Sequence, residues 1–285
     1  MIRLERATPG DFERVLPLLL EGFKNPRITR EHWRSLFHYS WPCEDDTRGF
    51  MLVDGERVVG FFGAILYDRD IAGRIEKFAN LTSWIVLPEC RNHSLTLFHE
   101  AVSIAGRTLL CLTPRKETLP LYLRSGFQEL STKLCILYPF PSFASRGARL
   151  RYRSTTNPAH IRARLDEKDR AIFEHHNLPQ CGQLLIYNAR EYCHVIFTRT
   201  KGRRFHFARV HHISNPAIFA ANIDRVRFRL AAWAPFVMID THVLPQGKIQ
   251  WSRIADPGIL PVFKSLTVAP EYIDNLYTEA ILLDL

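Results

Sequence analysis

The chain has 285 residues, of which 46% are hydrophobic and 24% charged, the mix of a globular protein with room for two domains. These proportions exclude intrinsic disorder, collagen-like repeats and coiled coil as the main architecture. The net charge of +9 is lopsided: residues 1–140 hold 18 Lys and Arg against 17 Asp and Glu, and residues 141–285 hold 20 against 12.

No apolar run approaches the roughly 20 residues that span a bilayer. The opening Met1-Ile2-Arg3-Leu4-Glu5-Arg6 alternates like a strand and has no apolar core of a signal peptide. The six cysteines (Cys43, Cys90, Cys111, Cys135, Cys181, Cys193) form no C-x-x-C pair, and most sit in apolar stretches. Reduced core thiols in a cytoplasmic protein are therefore expected.

In chain order, Ile2–Arg6 is a predicted strand. An amphipathic helix follows from Thr8-Pro9-Gly10-Asp11 to Phe23, with Phe12, Val15, Leu16, Leu19 and Leu20 on one face. A second helical stretch covers Arg30–Tyr39. Gly49–Val53 and Arg57–Leu66 flank Asp54-Gly55-Glu56, a hairpin signal. Phe78–Val86 is a strand, Leu95–Ala105 a helix, Thr108–Thr113 a short buried strand and Lys116–Arg124 a short helix. Gly126-Phe127 leads into a last strand ending near Tyr138. Residues 139–160, rich in Pro, Gly, Ser and Thr, are predicted to contain a linker.

The second half partly repeats this order. Leu165–His176 is helical, and Leu184–Tyr187 and Tyr192–Thr198 flank a turn at Asn188-Ala189-Arg190. Phe205–His212 is a strand, Ala217–Ala232 a helix and Phe236–Val243 a buried strand. Val262–Val268 and Tyr277–Leu283 are predicted as two final strands.

Four features carry a resemblance: Arg6-Ala7-Thr8-x-x-Asp11-Phe12 at the first strand–helix junction, the Asp54-Gly55 hairpin, Trp84-Ile85-Val86-Leu87-Pro88-Glu89-Cys90-Arg91 before a helix, and Tyr122-x-x-x-Gly126-Phe127 after the next strand. In this order and at these distances, residues 1–138 resemble the GNAT superfamily of acyl-CoA N-acyltransferases. The resemblance implies an α+β (mixed α/β) fold with a central mixed sheet flanked by helices. The whole chain is then expected to be a tandem of two GNAT-like domains: a catalytic one at 1–138, a linker at 139–160 and a degenerate partner at 161–285.

The resemblance also implies a site. The fourth and fifth strands splay apart, and amides of Trp84, Ile85 and Val86 would hydrogen-bond the pantetheine arm of acetyl-CoA or another acyl-CoA co-substrate. The stretch Arg91, Asn92, His93, Ser94, Leu95 and Thr96 would hold its pyrophosphate with backbone N–H groups and a positive helix end. The family pattern there is Arg/Gln-x-x-Gly-x-Gly/Ala; Ser94 and Thr96 replace the glycines that allow close backbone approach. Tyr122 stands where the family's general acid stands, and Glu76 or Ser83 are candidates for the base. Trp33, Tyr39 and Trp41 fall where relatives shape the acceptor pocket, although core packing explains Trp33 equally well.

The implied activity is transfer of an acyl group, acetyl by default, to a primary amine of a small molecule, amino sugar or peptide. The basic second half suits an anionic acceptor or an acidic acyl carrier protein as donor. A peptidyl transferase fed by aminoacyl-tRNA, a non-catalytic acyl-CoA-binding or scaffold protein, and a nucleic-acid binder stay open. The last is disfavoured because the basic run from Arg146 to Arg170 lacks a reading motif. The doublets His175-His176 and His211-His212 point apart on a helix or strand, so no metal is expected. Cys111 and Cys181 lack a base signature, and nucleotide-binding glycine loops are missing.

Overall fold

A computed structural model describes residues 1–142, 151–202, 204–247 and 249–285. They divide into two compact units. The first is Met1–Leu130 with Ile259–Ala269 and Tyr277–Asp284; the second is Ser131–Gly258 with Pro270–Leu276 and Leu285. Among the described residues no helix is long and apolar enough to cross a membrane.

The first unit is a seven-stranded mixed sheet. Its strands are β1 (Ile2–Ala7), β2 (Gly49–Asp54), β3 (Arg57–Ile71), β4 (Arg74–Val86), β5 (Thr108–Cys111) and β6 (Gln128–Glu129), with Val262–Lys264 inserted between β5 and β6. The first four strands pair antiparallel in sequence order, and β4 then runs parallel to β5. Runs of β-branched and aromatic residues such as Val58–Tyr67 are nearly all buried, as expected for a sheet covered on both faces.

Helix α1 (Phe12–Gly22) begins where Asp11 accepts hydrogen bonds from the Thr8 amide at 2.9 Å and the Thr8 hydroxyl at 2.8 Å. It buries Phe12, Val15, Leu16, Leu18 and Leu19. Its last residue has a steric reason to be glycine: a Cβ on Gly22 would lie 1.5 Å from the Ile85 Cδ1 atom on β4. Helices α2 (Arg30–Ser35), α3 (Ser94–Ala101) and α4 (Leu119–Arg124) complete the α-helices described within Met1–Leu130.

The second unit has the same strand pattern. Its strands are β7 (Leu134–Leu137), β8 (Arg153–Thr155), β9 (Cys181–Tyr187), β10 (Tyr192–Lys201), β11 (His206–Ile213), β12 (Phe236–Asp240) and β13 (Ser252–Ala255); Val262–Lys264 of the first sheet is thus β14. The spatial order is β8-β9-β10-β11-β12-β7-β13, again with a single parallel pair, β11 with β12. The core of this sheet is built from Leu184, Ile186, Val195, Phe197 and Ile239 with Phe219, Val226 and Leu230 from helical segments.

The topology corrects four expectations. The run ending near Tyr138 is not one strand of the first domain: β7 pairs with β12 and β13, while β14 takes the sixth position of the first sheet. Each sheet is thus completed by a strand from the other half of the sequence, and the first stretch of the first unit ends at Leu130. The expected linker at 139–160 contains β8 and the helix Pro158–Arg162, although Arg146 and Arg149 lie outside the described residues. Ala217–Ala232 is two helices, Pro216–Ala221 and Ile223–Leu230, interrupted where the Asn222 side chain donates to the Ile218 carbonyl at 2.9 Å. Finally, Tyr277–Leu283 is not a strand but leads into a helical turn, Glu279–Leu282.

Candidate active site at the fork between strands β4 and β5

Strands β4 and β5 pair only over Phe78–Asn80 and Thr108–Leu110, after which they part. Just beyond the parting point, β4 carries a bulge. Phe61 faces Ile85 and Gly63 faces Thr82, so Ser83 and Trp84 together oppose the single residue Phe62. Ser83 takes a left-handed φ of 55°, costly for a residue with a side chain, and its hydroxyl lies 3.3 Å from that of Thr82. The bulge lies in the ladder with β3, which resumes at Ile85 and Val86, while β5 no longer pairs with this stretch of β4. All four residues are half-buried.

An aromatic column fixes this edge to the helices. Trp84 stacks on Phe62 at 5.1 Å and meets Phe98 of α3 at 5.1 Å; Phe98 meets Tyr122 of α4 edge-on at 5.2 Å, and Tyr122 meets Phe127 at 5.1 Å. Tyr122 is only 2% exposed, and the buried thiol of Cys111, the last residue of β5, is near enough to its hydroxyl to shift its titration. Burial, then the negative charge of a Cys111 thiolate or of Glu279, pushes the phenol well above its ordinary value. Burial likewise pushes the Cys111 thiol up to about 12. Both groups therefore stay protonated at neutral pH, and Tyr122 is a hydrogen donor there.

Across the fork stands a residue that the sequence reading missed. Glu279 is 3% exposed, and its carboxylate accepts from Asn80 Nδ2 at 2.7 Å and from the Thr113 hydroxyl in a short hydrogen bond. Asn80 is the last β4 residue paired with β5 and Thr113 lies two residues past β5, so the carboxylate spans the fork at its base. The segment carrying it is anchored on both sides. The Tyr277 ring stacks on Tyr67 at 4.3 Å and meets Trp41 edge-on at 4.9 Å, and the Leu282 carbonyl accepts from the Ser35 hydroxyl at 2.9 Å. The only sequence signal for this site was a lone carboxylate inside the apolar run Tyr277–Leu283.

The structure thus brings Ser83, Trp84, Ile85, Val86 and Tyr122 to one fork and leaves Glu76 out of it. Glu76 lies on β4 before Phe78, at the paired end, where it accepts from the Thr267 hydroxyl at 2.7 Å. At about 3.3 Å per strand residue, it is some 20 Å along β4 from Ser83. The stretch from Arg91 to Thr96 is not an open loop. Pro88–His93 forms a 3-10 helix that runs directly into α3, and the Ser94 amide donates to the Arg91 carbonyl. Arg91, Asn92, Leu95 and Thr96 are exposed, while His93 and Ser94 are half-buried. Trp33 is a core residue at 1% exposure. Tyr39 stacks on Trp41 at 4.4 Å beneath the Arg48 guanidinium, and Trp41 Nε1 donates to the Leu66 carbonyl at 2.9 Å.

The corresponding fork of the second unit is filled by its own chain. Strand β11 has a bulge at His211, since Ile196 faces His212 while Phe197 faces Val210. The His211 carbonyl accepts from the Asn275 amide at 3.2 Å, and His212 Nδ1 lies 2.9 Å from an Asp274 carboxylate oxygen. The Asn275 side chain reaches Asp240, which also takes the Arg209 guanidinium at 2.6 Å. His176 and His211 are fully buried, and that burial lowers both to about 3. His194 is lowered well below its ordinary value for the same reason. Among the described residues no group of three or more His, Cys, Asp or Glu is placed to hold a metal ion.

Comparison of this fold with solved structures gives a consistent result. A GCN5-related N-acetyltransferase from Anabaena variabilis ATCC 29413 superposes with a TM-score of 0.59 at 13% identity, covering 92% of this chain and 72% of that one. The fold is that of the GCN5-related N-acetyltransferases. A second such protein, from Kribbella flavida, also gives 0.59, at 16% identity, over 92% of this chain and 70% of that one. Saccharomyces cerevisiae N-myristoyltransferase with bound myristoyl-CoA gives 0.50, at 10% identity, over 92% and 78%. No family model and no curated protein matches the sequence. The likeness is therefore one of fold.

Proposed function

We propose that the chain is an acyl-CoA-dependent N-acyltransferase acting through the fork of its first unit. The observation that carries this reading is the pairing of an open β4 edge, bulged at Ser83, with a buried protonated phenol at Tyr122 on the facing helix. An exposed strand edge suits the amide groups of a pantetheine arm, which would add to it like a strand. Among Ser83–Val86, an amide freed by the bulge is a donor for the oxyanion that develops at a thioester carbonyl. Tyr122 would donate to the departing sulfur. Acetyl is the default acyl group, and a primary amine of a small molecule, amino sugar or peptide is the acceptor. Glu76 has no part in this scheme, because it lies at the paired end of β4.

Titration of the intact protein with acetyl-CoA, longer acyl-CoAs and free coenzyme A tests the donor site by thermal unfolding. A ligand bound only to the folded state adds about 2.7 kcal/mol at 100 times its Kd. A shift ranked by acyl length supports the reading; no shift with any of the three overturns it.

A second reading, a non-catalytic acyl-CoA-binding protein, is favoured by one observation. The Ser94 amide, which would face a pyrophosphate, is already used by the Arg91 carbonyl, and no glycine loosens the turn. Binding without transfer to any primary amine would favour it.

A further inference from the structure

The sheet of the second unit carries a row of aromatic rings that the acyltransferase reading does not use. Residues directly opposite one another on a ladder share a face of the sheet. Phe207 of β11 faces Phe236 of β12, and the amide of Tyr138, just past β7, donates to the Trp251 carbonyl, just before β13, at 2.9 Å. The Phe236 ring is met by Phe205 at 5.2 Å, by Phe207 at 5.7 Å and by Tyr138 at 5.9 Å, and Phe140 meets Trp251 edge-on at 5.5 Å. The rings thus cross the adjacent strands β11, β12, β7 and β13. The turn after β10 closes on the row, because a Cβ on Gly202 would lie 2.6 Å from the Phe207 ring. At β10 the row ends on Thr200, which faces Phe207 and whose hydroxyl donates to the Leu285 carbonyl at 3.2 Å.

Three of these rings are more than half exposed: Phe140 at 52%, Phe205 at 53% and Trp251 at 56%. Phe207, Phe236 and Tyr138 are half-buried between them. Single exposed apolar side chains are ordinary, whereas contiguous ones with a polar rim mark an interaction surface. Here the rim is cationic. Lys201 and Arg204 are exposed at the β11 end, and Arg253, opposite Ile136, is exposed at the β13 end. Among the described residues no carboxylate pairs with any of the three. Asp240, on the same face, is already held by Arg209 at 2.6 Å. From Tyr192 to Ile223 the chain has five Lys and Arg residues and no Asp or Glu.

We propose that this face binds a single strand of nucleic acid, with bases stacked on the exposed rings and phosphates against Lys201, Arg204 and Arg253. Every base has a π-face and every nucleotide a negative charge, so rings bordered by unpaired cations match both. A duplex keeps its base faces within its own stack, and the rings therefore select a single strand. A bilayer surface would also attract the cations. The rings, however, are carried on or beside paired strands and locked edge to face. They form a plane and not a projecting apolar wedge that enters a headgroup layer. Contact through base faces and phosphates needs no sugar hydroxyl, so RNA and DNA strands should bind alike.

The test uses the full chain with fluorescein-labelled oligothymidylate and oligouridylate of about 15 nucleotides, near the upper site size of a single-strand groove. Anisotropy should report binding of both, and the matching duplex should compete poorly. Trp251→Ala and Phe205→Ala should each weaken binding by about 5–150-fold, the span for loss of one stacked base, with the unliganded Tm unchanged. Trp251→Phe should keep most of the affinity. Replacing Lys201, Arg204 and Arg253 together by Gln should remove a log–log salt slope of about 2, from three phosphate contacts at roughly 0.7 each. No binding of either strand, binding that ignores Trp251→Ala and Phe205→Ala, or equal affinity for duplex overturns the proposal. Phosphatidylserine–phosphatidylcholine vesicles are the second probe. Sedimentation with vesicles that depends on Trp251 and Phe205, with no strand bound, gives the face to a membrane and overturns the proposal as well.

Discussion

The two units share one strand order, one parallel pair and one bulge a few residues beyond that pair, yet their forks are in opposite states. In the first, β4 leaves β5 after Asn80, and the Ser83–Val86 edge stays half-buried. In the second, β11 leaves β12 after Arg209, and the chain at Asp274-Asn275 takes up the bulge carbonyl of His211 and the His212 ring. The same backbone defect therefore serves two purposes. Where main chain fills the fork, the bulge is a structural joint; where it does not, the edge stays available to a ligand. Fold alone does not mark a site.

Acid should separate the units most strongly. His176, His194 and His211 are buried neutral, held below the ordinary 6.5 by that burial, with His176 and His211 lowered to about 3. Between these limits the unfolded chain binds protons that the folded chain refuses, so stability falls as pH drops from about 6.5 toward 3. The loss is up to about 1.4 kcal/mol per pH unit for each histidine. Urea unfolding across pH 4–8, with Trp233 and Trp84 as separate single-tryptophan reporters, should show the second unit losing stability first. Equal loss in both would remove the distinction.

Tyr122→Phe sharpens the contrast from the other side. Under the proposed mechanism it should lower transfer by about 10²–10⁴-fold with acetyl-CoA affinity unchanged, since the phenol would act on the leaving group and not in binding. Unaltered turnover would take the role away from Tyr122. Next in size, His212→Ala leaves the buried Asp274 short of a hydrogen bond. It should destabilise by about 1–3 kcal/mol in chemical denaturation without changing acetyl-CoA affinity. The smallest effect is expected at Gly22→Ala, whose new methyl group must displace Ile85. A loss of about 1 kcal/mol in stability should come with weaker acetyl-CoA binding, because Ile85 lies on the open edge.

Much of the first unit was legible in the sequence because its signals are local. The Thr8–Asp11 cap, the α1 apolar face and the Asp54-Gly55 hairpin each depend on residues only a few positions apart. The exchange of β7 and β14 between sheets was not legible, since a four-residue apolar run such as Leu134–Leu137 pairs equally well in either. The same limit hid Glu279. Tyr277–Leu283 has the composition of a buried strand, and short apolar runs do not distinguish strand from helical turn. Trp84–Val86 and Tyr122 lie at the fork, whereas Glu76, a candidate base by resemblance to relatives that carry one near the fourth strand, lies at the paired end of β4.

The most direct measurement is amide hydrogen exchange on the intact protein with and without acetyl-CoA. New protection confined to residues 81–86, with none at 210–213, is the expected result. Protection at 210–213, or no change in either stretch at saturating acetyl-CoA, would contradict the assignment of an open fork to the first unit and a filled one to the second.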